Sequence, residues 1–251
     1  MKRILPHKRL LCLALSLAVS ACFGTAVASA AEAKQHDAIK PVPRKGKGWT
    51  DRHAKMNKRV AQGNVDMLLI GDSITHAWES GGKAVWNEYY APRNAVNLGI
   101  GGDRTQHVLW RLDNGNIKGV SPKLAMLMIG TNNCHNNTPE EIADGVTAIV
   151  KKLRTKLPKT KVLILAIFPR GPNDADPKRQ VNMKTNKIIA KLADGDMVSY
   201  LDIGDAFLSD DRTLSKKVMP DLLHLTPESY KTWAEAVEPA VAKVMGPLKK
   251  K

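Results

Sequence analysis

Short apolar runs of strand length alternate along this chain with longer segments in which apolar residues recur at helical spacing. The runs occupy residues 65–70, 95–98, 124–129, 162–167 and 197–201. Apolar runs of this length with little polar alternation are typical of parallel strands that are buried on both faces. The pattern therefore predicts five buried strands connected by helices.

Several of the intervening segments carry helix start signals. Residues 138–141 read Thr-Pro-Glu-Glu, which supplies an N-cap, a proline at the first helical position and the glutamate of a capping box. The pairs Asp176-Pro177 and Thr226-Pro227 predict two more helix starts. Helices are also predicted at residues 49–62, 74–90 and 104–112, the second of them broken. Strict alternation of strands and helices predicts a flavodoxin-like three-layer α/β/α sandwich with a five-stranded parallel sheet.

The first 30 residues have the features of a secretory signal peptide. A basic start is followed by an apolar stretch over residues 10–19 and by the cleavage pattern Ala28-Ser29-Ala30. The apolar stretch is too short for a stable membrane span. We expect cleavage after Ala30 and export to the periplasm or the extracellular space. A lipoprotein anchored through Cys22 stays open as the alternative, because residues 19–22 resemble a bacterial lipobox.

The rest of the chain is expected to form one domain. Residues 31–48 are rich in alanine, lysine, proline and glycine and are predicted to be a flexible lead-in. Residues 49–251 are predicted to be the domain, since a chain of 251 residues with 43% hydrophobic content can build one sizeable core. Two of the three cysteines lie in the leader, so only Cys134 remains after cleavage and no internal disulfide is expected.

The charge of the chain is strongly positive, with a formal net value of +15. The lysines are scattered, however, and form no basic stripe interleaved with aromatic residues of the kind that nucleic-acid-binding proteins present. We therefore expect a solvated basic surface and no nucleic-acid partner. Weak attraction to anionic material of the cell envelope is the second interpretation.

Candidate chemical groups follow the first three predicted strands. Ser73 comes after the first, Gly102 after the second and Asn132 after the third. In open parallel sheets, ligands bind beyond the carboxyl ends of the strands. A serine there can act as a nucleophile, while a glycine N–H and an asparagine NH2 can stabilise an oxyanion. Each residue also has an ordinary structural interpretation, as a helix cap, a tight turn or an Asx turn.

A serine nucleophile needs a base, and His224 is the candidate. It stands in Asp221-Leu222-Leu223-His224, on the predicted loop before the last helix. A carboxylate at this spacing can bind Nδ1–H of the imidazole and leave Nε2 free to take the serine proton. The D-x-x-H spacing is a weak signal by itself, and it gains weight from its position in the predicted fold.

Two other classes of function fit the sequence less well. The remaining histidines and Cys134 show no paired spacing such as H-x-x-x-H or C-x-x-C, so no metal and no cofactor are expected. A non-catalytic flavodoxin-like protein that binds phosphate, flavin or carbohydrate would use Ser73 and Thr75. That alternative leaves Asp221 and His224 without a role.

Four motifs in the order found here resemble those of the SGNH (GDSL) hydrolases. They are G-D-S-I at 71–74, G-I-G-G-D at 99–103, G-T-N-N at 130–133 and D-L-L-H at 221–224. The similarity is greater to the branch formed by the catalytic subunits of intracellular platelet-activating-factor acetylhydrolases, in which H-V-L-W-R-L and P-R-G also recur in this order. The resemblance covers most of the chain from residue 65 to residue 230.

The resemblance implies a flavodoxin-like fold and a metal-free serine esterase. It implies that Ser73 is the nucleophile and also lends a backbone N–H, that Gly102 and Asn132 complete the oxyanion hole, that His224 is the base and that Asp221 orients it. The substrate implied is a small ester with a short acyl group, acetyl by preference, on a lipid or a carbohydrate, hydrolysed through an acyl-enzyme. A homodimer stays open.

The chain departs from the family pattern at two positions. Ile74 stands where the motif often has leucine, which is an exchange of one apolar residue for another. Asn133 stands where many relatives have aspartate, although the acetylhydrolase branch also has asparagine. The leader separates this chain from that cytosolic branch, and this leaves the natural substrate open.

Overall fold

Five parallel strands form one sheet in the computed structural model, which describes Met1 and residues 36–248. They are β1 (Met67–Gly71), β2 (Ala95–Gly99), β3 (Leu124–Met128), β4 (Lys161–Leu165) and β5 (Val198–Leu201). Their order is β2-β1-β3-β4-β5, and Met67 of the central β1 pairs with Ala95 on one side and with Leu124 on the other. This is the flavodoxin-like order, and the predicted fold class is confirmed.

Within residues 36–248, seven α-helices connect or flank the strands. They are α1 (Lys47–Ala61), α2 (Ser73–His76), α3 (Lys83–Tyr89), α4 (Thr105–Asp113), α5 (Pro139–Lys156), α6 (Pro177–Ile189) and α7 (Pro227–Met245). The predicted capping box of α5 is present, because Thr138 Oγ1 accepts the Glu141 N–H and the Glu141 carboxylate accepts the Thr138 N–H, both at 3.3 Å. Asp176 and Thr226 cap α6 and α7 by accepting backbone N–H groups with their side-chain oxygens.

Two apolar cores lie on opposite faces of the sheet. Leu68 and Ile70 of β1 point to the core that contains residues of α1, α4 and α5. Met67 and Leu69 point to the other core, which contains residues of α2, α3 and α7. Successive strand residues alternate between faces, so a strand buried on both sides needs an unbroken apolar run. All five residues of β1 are buried.

The segment before α1 is packed on the domain. Ala38 is fully buried, and its carbonyl oxygen accepts a hydrogen bond from Thr105 Oγ1 at 2.8 Å. The Asp37 carboxylate accepts hydrogen bonds from two side-chain amides of the domain. The expected flexible lead-in over residues 31–48 is thus corrected for its described part, residues 36–48. Composition suggested flexibility, but specific polar contacts hold this stretch in place.

The predicted signal peptide, its cleavage site and Cys22 lie outside the described residues. Across residues 36–248, none of the helices combines the length and the apolar character that crossing a bilayer requires.

Candidate active site

The turn after β1 presents Ser73 at the carboxyl edge of the sheet. β1 ends at Gly71, Asp72 follows, and Ser73 is the first residue of α2. Asp72 Oδ1 accepts the Ile74 N–H at 3.0 Å and so caps this short helix. A side chain at Gly71 would begin 2.6 Å from the carbonyl oxygen of Met128, so glycine is needed for the passage from strand to helix.

The loop before α7 brings an imidazole to this serine. His224 Nε2 lies 2.8 Å from Ser73 Oγ, and His224 Nδ1 lies 2.6 Å from Asp221 Oδ2. The other carboxylate oxygen of Asp221 accepts the backbone N–H groups of Leu223 and His224, at 3.1 and 2.8 Å. Leu222 has a φ of 58°, in the left-handed region, and turns the loop between the two acid–base residues. Hydroxyl, imidazole and carboxylate therefore form one continuous hydrogen-bonded chain.

The charge on Asp221 determines which imidazole nitrogen carries the proton. Partial burial raises the pKa of Asp221, but hydrogen bonds from the His224 ring and from the loop N–H groups outweigh it and hold the pKa below its usual value. An ionised carboxylate can only accept, so we infer that Nδ1 carries the proton and that Nε2 accepts from the serine hydroxyl. This arrangement can remove a proton from Ser73 when an electrophile is bound.

Gly102 and Asn132 lie in the two neighbouring loops, as predicted. Gly102 has a φ of 75°, and among residues 36–248 its N–H has no hydrogen-bond acceptor. The Asn132 side-chain amide donates to the carbonyl oxygen of Asp103 at 3.0 Å and so joins the turn after β3 to the turn after β2. A Cβ on Gly101 would lie 3.8 Å from Ser73 Cβ, so the turn after β2 packs directly against the serine.

A buried ion pair holds the turn after β2. Asp103 is fully buried and accepts hydrogen bonds from Trp49 Nε1 and Arg111 Nε, each at 2.8 Å. Burial raises the pKa of Asp103, and the charge of Arg111 opposes that rise. On the solvent side, Arg44 Nη1 donates to the carbonyl oxygen of Gly101 at 2.5 Å. The turn is thus held from both sides, which suits a rigid N–H donor.

Sequence reasoning missed two residues of this region. Asp72 is fully buried, its Oδ2 has no hydrogen-bond partner among the described residues, and burial raises its pKa to about 7. Arg44 comes from the segment that was expected to be flexible. The sequence showed the motif that contains Asp72 but not that this side chain is buried. No local sequence signal connected Arg44 to Gly101.

Three other histidines of the domain form hydrogen-bond contacts away from the Ser73 hydroxyl. His76 Nδ1 accepts the Gly101 N–H at 3.3 Å, and His107 Nδ1 accepts the Arg104 N–H at 2.9 Å. His53 lies within hydrogen-bond distance of two asparagine side chains. Among residues 36–248, His224 is the histidine that forms a hydrogen bond with Ser73.

Asn133, which stands where many relatives have aspartate, forms hydrogen bonds that hold the structure together. It is fully buried; its Oδ1 accepts the Thr105 N–H at 3.0 Å and its amide donates to the Thr105 and Asn137 side chains. A neutral amide can donate and accept at once, which an ionised aspartate cannot.

Comparison with known proteins agrees with the motifs. Residues 69–232 match the family described as GDSL-like Lipase/Acylhydrolase family. The chain is 39% identical over 186 residues to platelet-activating factor acetylhydrolase IB subunit alpha2 of Rattus norvegicus, and the match covers 72% of this chain and 78% of the relative.

Solved structures share the fold at low identity. A carbohydrate acetylesterase from Sinorhizobium meliloti has a TM-score of 0.58 and 19% identity, with 72% of this chain and 99% of that chain covered. A GDSL-like lipase from Bacteroides thetaiotaomicron has a TM-score of 0.58 and 16% identity, with 77% and 97% covered.

Proposed function

The chain belongs to the GDSL-like lipase/acylhydrolase family and is a carboxylic-ester hydrolase, and from this premise we propose that it removes acetyl groups from an acylated lipid or carbohydrate through an acetyl-enzyme. The hydrogen-bonded chain from Ser73 through His224 to Asp221 is the observation that carries this proposal.

In the first half of the reaction Ser73 takes the acyl group. Its Oγ attacks the ester carbonyl carbon while the hydroxyl proton moves to His224 Nε2, and the carbonyl oxygen becomes an oxyanion. The backbone N–H groups of Ser73 and Gly102 and the side-chain amide of Asn132 are the proposed donors to that oxyanion. The bond to the alcohol oxygen then breaks, and the imidazolium gives its proton to the leaving alcohol.

In the second half water releases the acid. The alcohol has left, so a water molecule can approach the acetyl-serine beside His224, which accepts one of its protons. The hydroxide formed attacks the acyl carbon, and collapse of the intermediate returns the proton to Ser73 Oγ and releases acetic acid, which ionises to acetate in solution. Asp221 stays ionised throughout and stabilises the imidazolium in both halves.

The name of a relative supports a small acyl group, and the turn beside Ser73 is closely packed. The Gly101 turn lies against the serine, and the Arg44 guanidinium comes within 2.9 Å of the position a Gly102 Cβ would take. These contacts show that the turn after β2 is closely packed. The relative at 39% identity is named an acetylhydrolase, which agrees with this size.

We also propose that the protein is exported, on the basis of the leader alone. N-terminal sequencing of the protein isolated from the periplasm or the medium should begin at residue 31. A lipid-modified N-terminus at Cys22 would replace this proposal with the anchored form.

A chain-length series tests the proposed reaction. We expect kcat/KM to fall from the acetyl to the butyryl to the octanoyl ester of 4-nitrophenol. Mass spectrometry of acid-quenched enzyme should find the acetyl group on the peptide that contains Ser73. Preference for the octanoyl ester would overturn the acetyl assignment, and turnover with the acetyl group trapped elsewhere would overturn the mechanism.

A further inference from the structure

The loop after β4 contains the motif Pro169-Arg170-Gly171, to which the steps of the proposed reaction assign no part. The guanidinium of Arg170 contacts the turn after β3, which presents Asn132. We propose that Arg170 is a positioning residue, which holds Asn132 in the orientation that stabilises the oxyanion. The proposal rests on the proposed function, because it concerns an oxyanion donor of that reaction.

One nitrogen of Arg170 contacts three acceptors in this turn. Nη1 lies 3.1 Å from both the carbonyl oxygen and the hydroxyl oxygen of Thr131. It also lies 3.5 Å from Cys134 Sγ. The Cys134 thiol itself donates to the Thr131 carbonyl oxygen at 2.8 Å. Two donors therefore hold this carbonyl group, and the charged guanidinium is the stronger of them.

The Thr131 carbonyl determines where Asn132 lies, because it belongs to the peptide unit that joins the two residues. That unit is planar, so the direction of the carbonyl group fixes the positions of the next nitrogen and the next Cα. Rotation of the carbonyl away from Arg170 would therefore move the Asn132 side chain. A displacement of about 1 Å at a catalytic group can lower a rate by about 10²-fold.

The Asn132 amide has one N–H available for a substrate. An amide NH2 group offers two donors. Among residues 36–248 its acceptor is the carbonyl oxygen of Asp103, at 3.0 Å, which leaves the second N–H free. The bond to Asp103 fixes the end of the side chain, and the contact between Thr131 and Arg170 fixes the backbone from which the side chain starts.

The backbone of Arg170 is itself held by a buried arginine. Arg179 is 1% exposed, and its Nε and Nη2 donate to the carbonyl oxygens of Arg170 and Gly171, both at 2.6 Å. The Arg170 side chain therefore starts from a fixed point. Asn182, from the same helix as Arg179, donates to the Thr131 hydroxyl at 3.3 Å and supports the turn from a second direction.

The loop after β4 is also connected to the loop that carries His224. The Gly171 N–H donates to the carbonyl oxygen of Leu222 at 2.9 Å. Gly171 has a φ of 67°, in the left-handed region, and a Cβ there would lie 2.3 Å from Asp176 Cγ, so this connection requires glycine. One loop thus contacts both halves of the site, and Arg170 makes its contact with the oxyanion turn.

A double-mutant cycle with Asn132 tests this role. We expect Arg170→Met to lower kcat for 4-nitrophenyl acetate by about tenfold with little change in KM, because an oxyanion donor acts mainly in the transition state. In the Asn132→Ala background the same substitution should change kcat by less than about twofold, since the donor to be positioned is absent. Lys178→Met, which removes a cation beside Arg170 in the same surface groove, is the control and should leave kcat unchanged.

The cycle distinguishes positioning from a general effect on the fold. A general disturbance would lower kcat equally with and without the Asn132 side chain, and that result would overturn the proposal, as would normal kcat in Arg170→Met. Arg170→Gln is measured in parallel, with circular dichroism of each variant, in case Arg170→Met does not fold. Arg170→Lys should recover most of the loss, because the three contacts come from one nitrogen and an ammonium also has three N–H donors.

A crystal structure of the Arg170→Met or Arg170→Gln variant decides the case in which the wild-type chain hydrolyses no acetate ester and the proposed function fails. We expect the Asn132 amide to leave hydrogen-bond distance of the Asp103 carbonyl oxygen, which it contacts at 3.0 Å in the wild-type chain. An unchanged position of Asn132 would overturn the positioning role whatever the catalytic result.

Discussion

Ser73 Oγ and His224 Nε2 lie 2.8 Å apart although 151 positions separate the two residues in the chain. The serine follows the central strand of the sheet, and the histidine comes from the loop before the last helix. The contact therefore depends on the whole fold between them. The contact lies at the carboxyl edge of the sheet, which is accessible to solvent: the His224 and Asp221 side chains are 43% and 55% exposed.

Removing either end of this contact should abolish most turnover. We expect Ser73→Ala and His224→Ala each to lower kcat for 4-nitrophenyl acetate by about 10³-fold or more, because nucleophile and base act as a unit. Steady-state kinetics with circular dichroism of each variant measures this. Ser80→Ala serves as the control, because the Ser80 hydroxyl donates to the nearby Ala77 carbonyl oxygen and to no other group among residues 36–248. Normal turnover by Ser73→Ala would remove the proposed mechanism.

Loss of the Asn132 side chain should slow the chemical step rather than weaken substrate binding. An oxyanion donor acts mainly in the transition state, so we expect Asn132→Ala to lower kcat by about 10²-fold to 10³-fold with little change in KM. Asn136→Ala, at an exposed position of the same turn, is the matched control. A rise in KM alone would reassign Asn132 to substrate binding.

Asp72 should make folding stability depend on pH. Burial raises its pKa from an ordinary 3.8 to about 7, so between these pH values the folded state binds more protons than the unfolded chain. Stability contributed at this site is therefore greatest at low pH and falls as the pH rises toward 7. Asp72→Asn cannot ionise, and its stability relative to the wild-type chain should rise over this interval by on the order of 2 to 4 kcal/mol.

Urea denaturation at pH 5 and pH 8 measures this change. Any fixed cost of the new amide is the same at both pH values and cancels in the comparison. Asp113→Asn is the control. Burial raises the pKa of Asp113, but hydrogen bonds from Lys152 and Lys156 outweigh burial and hold this pKa below its usual value. The change in stability caused by Asp113→Asn should therefore be the same at pH 5 and pH 8. A pH-independent effect of Asp72→Asn would show that the carboxyl is ionised at pH 5 already.

Arg44 should act on catalysis through the turn that it holds. Its guanidinium binds the Gly101 carbonyl oxygen, so Arg44→Gln should free the neighbouring Gly102 N–H from its fixed orientation. We expect kcat to fall by about tenfold, with KM and the melting temperature nearly unchanged. Lys45→Gln, its exposed neighbour, should leave all three values unchanged. A normal kcat for Arg44→Gln would show that Arg44 has no effect on catalysis.

The sequence alone determined the elements of the fold and the candidate residues of the site. Continuous apolar runs report burial on both faces, and a cap such as that at Thr138 is a local hydrogen-bond pattern, so both are visible without knowledge of the fold. The G-D-S, G-G-D and D-x-x-H motifs identified Ser73, Gly102 and His224 in the same way, since each lies at the predicted end of an element.

Only the tertiary structure decided which of these groups touch and what charge each carries. The 2.8 Å contact of Ser73 with His224 follows from the strand order, the raised pKa of Asp72 from complete burial, and the position of Arg44 from packing of a segment whose composition suggested flexibility. Distances between residues far apart in the chain, and the solvent removed around them, depend on all the elements at once. Local sequence patterns report short-range preferences, and for that reason they do not contain this information.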